Sequence, residues 1–350
     1  MYRRLYRGVL SRFDAETLHL VALAALEQSG RLPALRVVMR RAFASLPTTN
    51  LDVEAFGLRF AHPLGLAAGF DKDARALPAL AALGFSFVEV GTVTPLPQPG
   101  HPRPRLFRLS DDNALINRMG FPSAGAAIIA ERLGRHDPAY PIFISLGKNK
   151  DTPLLDAARD YVAALQRLYP HGAAFVVNIS SPNTPELRRL QTRAYLSGLL
   201  DSLITARDSL AVGSRKPLLI KIAPDLDDSD LALIIDTALD HGIDGMIATN
   251  TTLRRAGLTS AHRAEAGGLS GRPLLARSTA MIRMIRARAG ARLTLIGVGG
   301  IFNGDDLYAM LDAGATLAQA YTGFIYEGPT FVAKTLIGLR RRMERLEQKT

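Results

Sequence analysis

Four asparagines, Asn117, Asn178, Asn183 and Asn250, and one serine set among them, Ser181, are the residues of this sequence best able to do chemistry as a group. Each carboxamide offers donors and an acceptor. Such a set suits a small ring rich in N–H and C=O groups, with Ser181 available as a base. Only seven of the 43 basic residues are lysine. Lys72, Lys148, Lys150 and Lys221 all end or follow apolar runs, which points to specific tasks. Lys72 and Lys221 can supply positive charge to an anionic substrate and to a reduced cofactor. Gly271, Gly299, Gly300 and Gly323 cluster late in the chain, where backbone N–H groups at a helix start suit a phosphate. A phosphate-bearing cofactor is therefore expected.

What is missing narrows the chemistry further. The chain has no cysteine, which removes disulfides, iron–sulfur clusters, thiolate zinc sites and a Cys nucleophile. It has no H-E-x-x-H and no histidine cluster, so no metal site is expected. Asp71 and Asp225 are the nearest approach to a paired-carboxylate site, and both are better placed to fix neighbouring loops. The net charge of +11 is open to several readings: an anionic substrate, anionic lipid, nucleic acid, or only a preference for arginine.

The groups named above stand at the ends of eight apolar runs: Leu64–Gly69, Phe87–Thr92, Ile142–Gly147, Phe175–Ser181, Leu218–Pro224, Gly245–Thr251, Thr294–Gly300 and Leu317–Gly323. None of the runs alternates polar with apolar, as suits parallel strands buried on both faces. Helix-length segments such as Thr152–Leu168 and Asp227–His241 separate them. Eight such units over about 290 residues predict a (β/α)₈ TIM barrel, which needs about 250. A doubly wound sheet fits less well, because no G-x-G-x-x-G follows the first run. Catalytic groups of barrels sit at the C-terminal ends of the strands. Singly, each strand-end Asn or Thr could be a helix cap, but eight polar strand ends meeting at one mouth are hard to obtain from capping. Pro95–Phe121 reads as a turn-rich hairpin inserted after the second strand.

Residues 1–46 read as a separate helical segment and 47–350 as the barrel, with Pro47-Thr48-Thr49-Asn50 as the link. Tyr2, Tyr6, Val9, Leu10 and Phe13 fall on one helical face, with Arg3, Arg4, Arg7 and Arg12 largely elsewhere. Asp14 can N-cap a second helix that Gly30 ends, and Pro33 can open a third through Phe43. Such helices either pack on the barrel or lie on a membrane surface. No apolar run approaches the roughly 20 residues of a spanning helix, and no signal peptide is visible.

The strings LGLAAGFDKDA, EVGTVTPLPQPGHPRPRLFRL, INRMGF, GKNKDT, VNISSPNTPELRRLQ, KIAPDL, TNTT, GGLSGRPL, IGVGGI and YTGFIYEGP together resemble the class 2, quinone-dependent dihydroorotate dehydrogenases. The resemblance covers essentially the whole chain. It implies FMN as cofactor, dihydroorotate as substrate and a membrane quinone as electron acceptor, within pyrimidine biosynthesis. It implies that Ser181 takes the proton from C5 of dihydroorotate while FMN accepts the hydride from C6. Lys72, Asn117, Asn178, Asn183, Asn250 and Thr251 would hold the substrate, with Arg118, Met119, Gly120 and Phe121 in the same pocket. Ala68, Gly69, Phe70, Asp71, Lys72, Thr92, Asn178, Lys221 and Thr249 would contact the flavin. Gly271, Gly300, Tyr321 and Thr322 would hold its phosphate. His19, Arg108 and Tyr321 would stand on the quinone side. The family often has Asn where this chain has Ser145, which would make the flavin contact there with a shorter reach. The soluble class 1 enzymes use a Cys base, which this chain lacks.

The resemblance further implies a peripheral enzyme on the cytoplasmic face of a bacterial inner membrane, with an anionic lipid surface and no nucleic acid among its partners. A tRNA dihydrouridine synthase is a second FMN barrel that basic charge would suit, but those enzymes use a Cys acid. A barrel-fold membrane scaffold is a third reading, and it would not be yellow.

Overall fold

The computed structural model describes all residues except 1, 3–5, 7, 10–11, 45–50, 136–139, 185 and 349–350. Thirteen strands occur among the described residues: β1 (Val53–Ala55), β2 (Leu58–Phe60), β3 (Leu64–Leu66), β4 (Val88–Val93), β5 (Leu106–Leu109), β6 (Ala114–Asn117), β7 (Ile142–Leu146), β8 (Ala174–Asn178), β9 (Leu218–Ile222), β10 (Gly245–Ala248), β11 (Gly268–Gly271), β12 (Thr294–Val298) and β13 (Leu317–Ala320). Eight of them, β3, β4, β7, β8, β9, β10, β12 and β13, close in that order into a parallel barrel ringed by helices. Each falls within one of the eight apolar runs to within a residue, β4 ending one residue past its run and β8 starting one residue before its own. The runs read as uniformly apolar because barrel strands bury both faces: β4, β7, β8 and β9 are buried at every position.

Two small sheets complete the barrel. The hairpin β1–β2 lies at the N-terminal end of the barrel, where Phe60 meets Phe87 and Phe143 edge-on at 5.3 and 6.2 Å. These rings join Leu219, Ile296 and Leu317 in a floor cluster that fills the barrel from below. A three-stranded antiparallel sheet, ordered β11-β6-β5, flanks the mouth. The hairpin β5–β6 lies within Pro95–Phe121, as its turns predict. β11 was not foreseen: four residues with two glycines carry no strand signal, and their partner β6 lies about 150 residues away in the chain.

The N-terminal helices are α1 (Ala15–Arg31) and α2 (Pro33–Phe43). Asp14 caps α1 by accepting the Thr17 N–H at 2.8 Å, and Pro33 opens α2. Gly30 does not end α1, which runs on to Arg31. It is the contact point with the next helix, α3 (Leu77–Ala82): a Cβ at Gly30 would stand 3.1 Å from Ala79 N. The expected face of Tyr2, Tyr6, Val9, Leu10 and Phe13 splits in two. Tyr6 is 1% exposed against Tyr326, and Tyr2 donates to the Ile325 carbonyl at 3.2 Å, whereas Val9 and Phe13 are exposed. Leu10, Arg3, Arg4, Arg7 and the 47–50 link lie outside the described residues, while Arg12 is exposed.

The two helices are bound firmly to the rest. Glu16 on α1 is buried and bridges to Arg105 at 2.7 Å and Arg103 at 3.1 Å, both just before β5. Glu27 reaches Arg75 at 2.6 Å. No helix among the described residues is long and apolar enough to cross a membrane.

Candidate active site

The strand ends meet around a cavity at the C-terminal mouth of the barrel. From the first strand onward it is lined by Ala68, Gly69 and Lys72, then Thr92, then Asn178, Ser181 and Asn183. Lys221, Thr249, Asn250 and Thr251 continue the wall, and Gly300, Tyr321 and Thr322 close it. The inserted hairpin contributes Asn117, Met119, Gly120 and Phe121 from above. Eighteen of the residues expected at the site are thus gathered in one place.

The amides are held by one another. Asn178 donates to Thr92 Oγ1 at 2.7 Å, and Thr92 Oγ1 in turn lies 3.1 Å from Ser145 Oγ. Asn250 donates to Asn178 Oδ1 at 3.3 Å and to Ser180 Oγ at 3.0 Å. Asn183 donates to the Asn117 carbonyl at 3.0 Å and to its side-chain oxygen at 3.2 Å. Tyr161, fully buried behind the wall, donates to the Asn178 carbonyl at 2.7 Å. Each carboxamide keeps hydrogen-bonding capacity beyond these contacts. Ser181 is buried on the same wall, and its Oγ accepts the Asn183 N–H at 3.3 Å.

Two lysines serve the cavity from different depths. Lys221 is buried, and its Nζ stands 3.1 and 3.3 Å from the oxygens of Glu89, which is fully buried. Lys72 has no carboxylate within ion-pair distance among the described residues. Desolvation brings its pKa down to about 8; Arg105 adds to this, and Asp73 and Glu16 oppose it. Lys148, whose position also suggested a task, has a structural one: its ammonium donates to the carbonyls of Asn149, Lys150 and Thr152.

Several expected contacts stand elsewhere. Asp71 is fully buried and accepts the N–H groups of Arg75 and Ala76 at 2.8 and 2.7 Å, so it fixes the loop rather than lining the cavity. Burial brings its pKa up to about 6 against those bonds. Asp225 likewise fixes loops, pairing with Arg188 at 2.9 Å and accepting from Thr252 Oγ1 and the Leu253 N–H. Arg118 lies between two lining residues, but alternation of the extended chain turns it outward. There it pairs with Glu265 at 2.7 Å and covers the Phe107 ring. Ser145 is fully buried behind Thr92 and outside the lining, so its hydroxyl acts through Thr92. Gly271 stands behind the lining residue Ser270, whose hydroxyl is 2.8 Å from Thr322 Oγ1. Gly300 has φ 80°, and a Cβ there would lie 2.7 Å from Leu275 N, so this corner requires glycine.

Phe70 turns away from the mouth into a second cavity of about 480 Å³ beneath α1 and α2. Its walls are almost wholly apolar, with Leu18, Ala22, Met39 and Phe43 among them, and they include His19 and Arg108. Leu106 and Leu115 line both cavities. Phe70 stands between His19, 5.0 Å away edge-on, and Tyr321, 6.3 Å away. Burial, with Lys72 adding, brings the His19 pKa down to about 4, so its imidazole is neutral at pH 7. Arg108 donates to the Phe13 carbonyl.

The sequence model of the dihydroorotate dehydrogenase family matches residues 50–343. The chain belongs to the dihydroorotate dehydrogenase family. Members of this family are flavin-dependent. A dihydroorotate dehydrogenase (quinone) of Deinococcus deserti is 48% identical, over 99% of this chain and 96% of its own length. One from Anaeromyxobacter dehalogenans is 50% identical, over 97% and 92%. The structure of an Eimeria tenella dihydroorotate dehydrogenase in complex with ferulenol superposes with a TM-score of 0.90 at 36% identity, covering 98% of this chain and 96% of that one.

The donor set suits the family's flavin: a buried lysine at the floor, hydroxyls and amides around the wall, and a glycine corner at the rim. Sequence reasoning overlooked Glu89 and Gln319, both of which interrupt apolar strands that bury every side chain. A carboxylate or carboxamide in such a strand needs a buried partner, and that signal was present in the sequence.

Proposed function

We propose that this chain oxidises dihydroorotate to orotate at the barrel mouth, with FMN as its flavin and a membrane quinone as the final acceptor. The observation that carries the reading is the pairing of two cavities: an amide-and-lysine pocket around Ser181, and an apolar one beneath α1 and α2, with Phe70 and Tyr321 between them. Bound in the first cavity, FMN supplies a two-electron acceptor for the hydride from C6. Ser181 takes the proton from C5. Lys72 holds the substrate carboxylate, and Asn117, Asn178, Asn183, Asn250 and Thr251 hold the ring amides. Lys221 and Thr249 would face the flavin, and Gly300, Tyr321 and Thr322 would hold its phosphate. Neutral His19, Arg108 and Tyr321 meet the quinone. Anaerobic addition of dihydroorotate to the purified yellow protein should bleach the flavin, and a quinone should restore the colour. A protein that retains FMN yet is not bleached would defeat the reading.

A pH dependence follows from Lys72. Its lowered pKa means that the ammonium is charged below about 8 and neutral above it. The anionic substrate should therefore be captured less well as pH rises through about 8. The profile of kcat/KM, which reports the free enzyme, should show this limb, and Lys72→Met should remove it. A limb that persists unchanged in the variant assigns it to another group.

The outer face of α1 and α2 suits a lipid surface. α2 has no buried residue, and Val21, Leu32, Leu35, Val37 and Val38 are exposed beside the apolar cavity. Arg31, Arg36, Arg40 and Arg41 lie on the same two helices. Basic residues near an anionic membrane each contribute about 1 kcal/mol. This supports a peripheral enzyme on the cytoplasmic face of a bacterial inner membrane. The triple variant Val21→Asp, Leu35→Asp, Val38→Asp should sediment with anionic liposomes at least tenfold less. It should also turn over long-chain quinone poorly while bleaching with dihydroorotate at the normal rate. Undiminished liposome binding would remove this face from the membrane.

A further inference from the structure

Gln319 occupies the last barrel strand, β13, two residues below Tyr321. Leu317 packs in the floor cluster and Ala318 packs outward, so alternation turns Gln319 inward. It lines the mouth cavity together with Ala67, Val298 and Lys221. Its residue is fully buried, and neither Nε2 nor Oε1 has a hydrogen-bond partner. Its neighbours in register are Val298 and Gly65, which offer no polar side chain. Buried side-chain amides are nearly always bonded. The other buried polar atoms left unpaired among the described residues are single hydroxyls, on Tyr6, Thr184, Ser260 and Thr335. Among the described residues Gln319 is thus the one buried carboxamide with donor and acceptor both open, and the residue lines the cofactor cavity.

We propose that Gln319 is a direct flavin contact, presenting its carboxamide to the polar N–H and C=O edge of the ring system. This rests on the FMN reading given above. A donor and an acceptor on one rigid plane complement an imide-like edge, in which N–H and C=O alternate. Reduction adds negative charge to the ring, so the Nε2 donor favours the reduced form. Gln319 therefore affects how tightly FMN is held and how readily it is reduced, and no proton transfer depends on it.

The test uses the holoenzyme. In Gln319→Met, which keeps the length and removes the polar atoms, FMN should escape on dilution at least tenfold more readily, read by released flavin fluorescence. The ratio of reduced to oxidised flavin affinity should fall about tenfold, a midpoint potential lower by about 30 mV for a two-electron couple. Gln319→Glu, close in shape, serves if the methionine variant does not fold. It exchanges the donor for an acceptor and should also lower the potential. A Gln319 that only supports the barrel would shift the melting temperature and leave the potential at the wild-type value, which overturns the assignment. A wild-type protein carrying no FMN overturns this inference and the cofactor reading together; one that carries FMN, with retention and potential unmoved by either substitution, overturns the Gln319 contact alone.

Discussion

Replacing Ser181 with alanine should slow the bleaching of the flavin by dihydroorotate by about 10²–10⁴-fold, the contribution typical of a positioned general base. Ser181 is buried on the cavity wall between Asn178 and Asn183, and the loop that carries it is held from behind by Arg188, which donates to the Ser180 carbonyl at 3.1 Å. Removing one hydroxyl leaves that scaffold in place, together with the substrate contacts proposed for Lys72 and the four asparagines. The loss should therefore appear in the rate of reduction at saturating substrate, with little change in apparent affinity. No imidazole or carboxylate hydrogen-bonds to Ser181 Oγ among the described residues; the hydroxyl accepts the Asn183 N–H. Its basicity is therefore weak near neutrality, and the reduction rate should climb with pH. Ser181→Cys restores an ionisable group and should recover part of the rate, with a pH profile set by the thiol. Stopped-flow bleaching under anaerobic conditions measures all three proteins. An alanine variant that bleaches at the wild-type rate with its flavin retained would remove Ser181 from the chemistry.

The barrel was legible because its strands are buried on both faces, which leaves largely apolar runs ending in the groups that face the mouth. Asn117, Asn178, Asn183 and Asn250 could be grouped from the sequence because barrel topology brings strand ends together whatever their separation in the chain. Contacts that depend on tertiary placement were less accessible. β11 forms only because β6 presents an open edge to it. Gly30 resembles a helix terminator until the backbone of α3 is seen pressed against it. Helical periodicity put Tyr6 and Phe13 on one face, but only Tyr6 meets the barrel. Residues 1–46 read from the sequence as a segment separate from the barrel. The Glu16–Arg105 bridge argues against clean removal, because truncation would strand a buried guanidinium whose Nη1 also holds the carbonyls of Pro99 and His101. Substitutions on the exposed face of α1 and α2 separate the two half-reactions without that damage.

Lys221→Met should destabilise the protein by about 3–5 kcal/mol, the usual cost of breaking a buried ion pair from one side. The pair is deep: the Lys221 side chain is 6% exposed and that of Glu89 is 0% exposed, at 3.1 Å. Removing the ammonium leaves the buried carboxylate without its ion-pair partner. Neutralising both members is a different experiment. In the double variant Glu89→Gln, Lys221→Met no charge remains to be desolvated, so most of the lost stability should return. The flavin responds otherwise. Reduction puts negative charge on the ring, and both variants lack the positive charge at the cavity floor. The midpoint potential of bound FMN should therefore fall in the single variant and stay low in the double one. Thermal melts read the first effect and a redox titration reads the second, so the two consequences of one lysine are measured separately. A single variant that melts with the wild type would show that the ion pair contributes nothing to stability. A double variant whose potential returns to the wild-type value would show that Lys221 acts on the flavin only through Glu89.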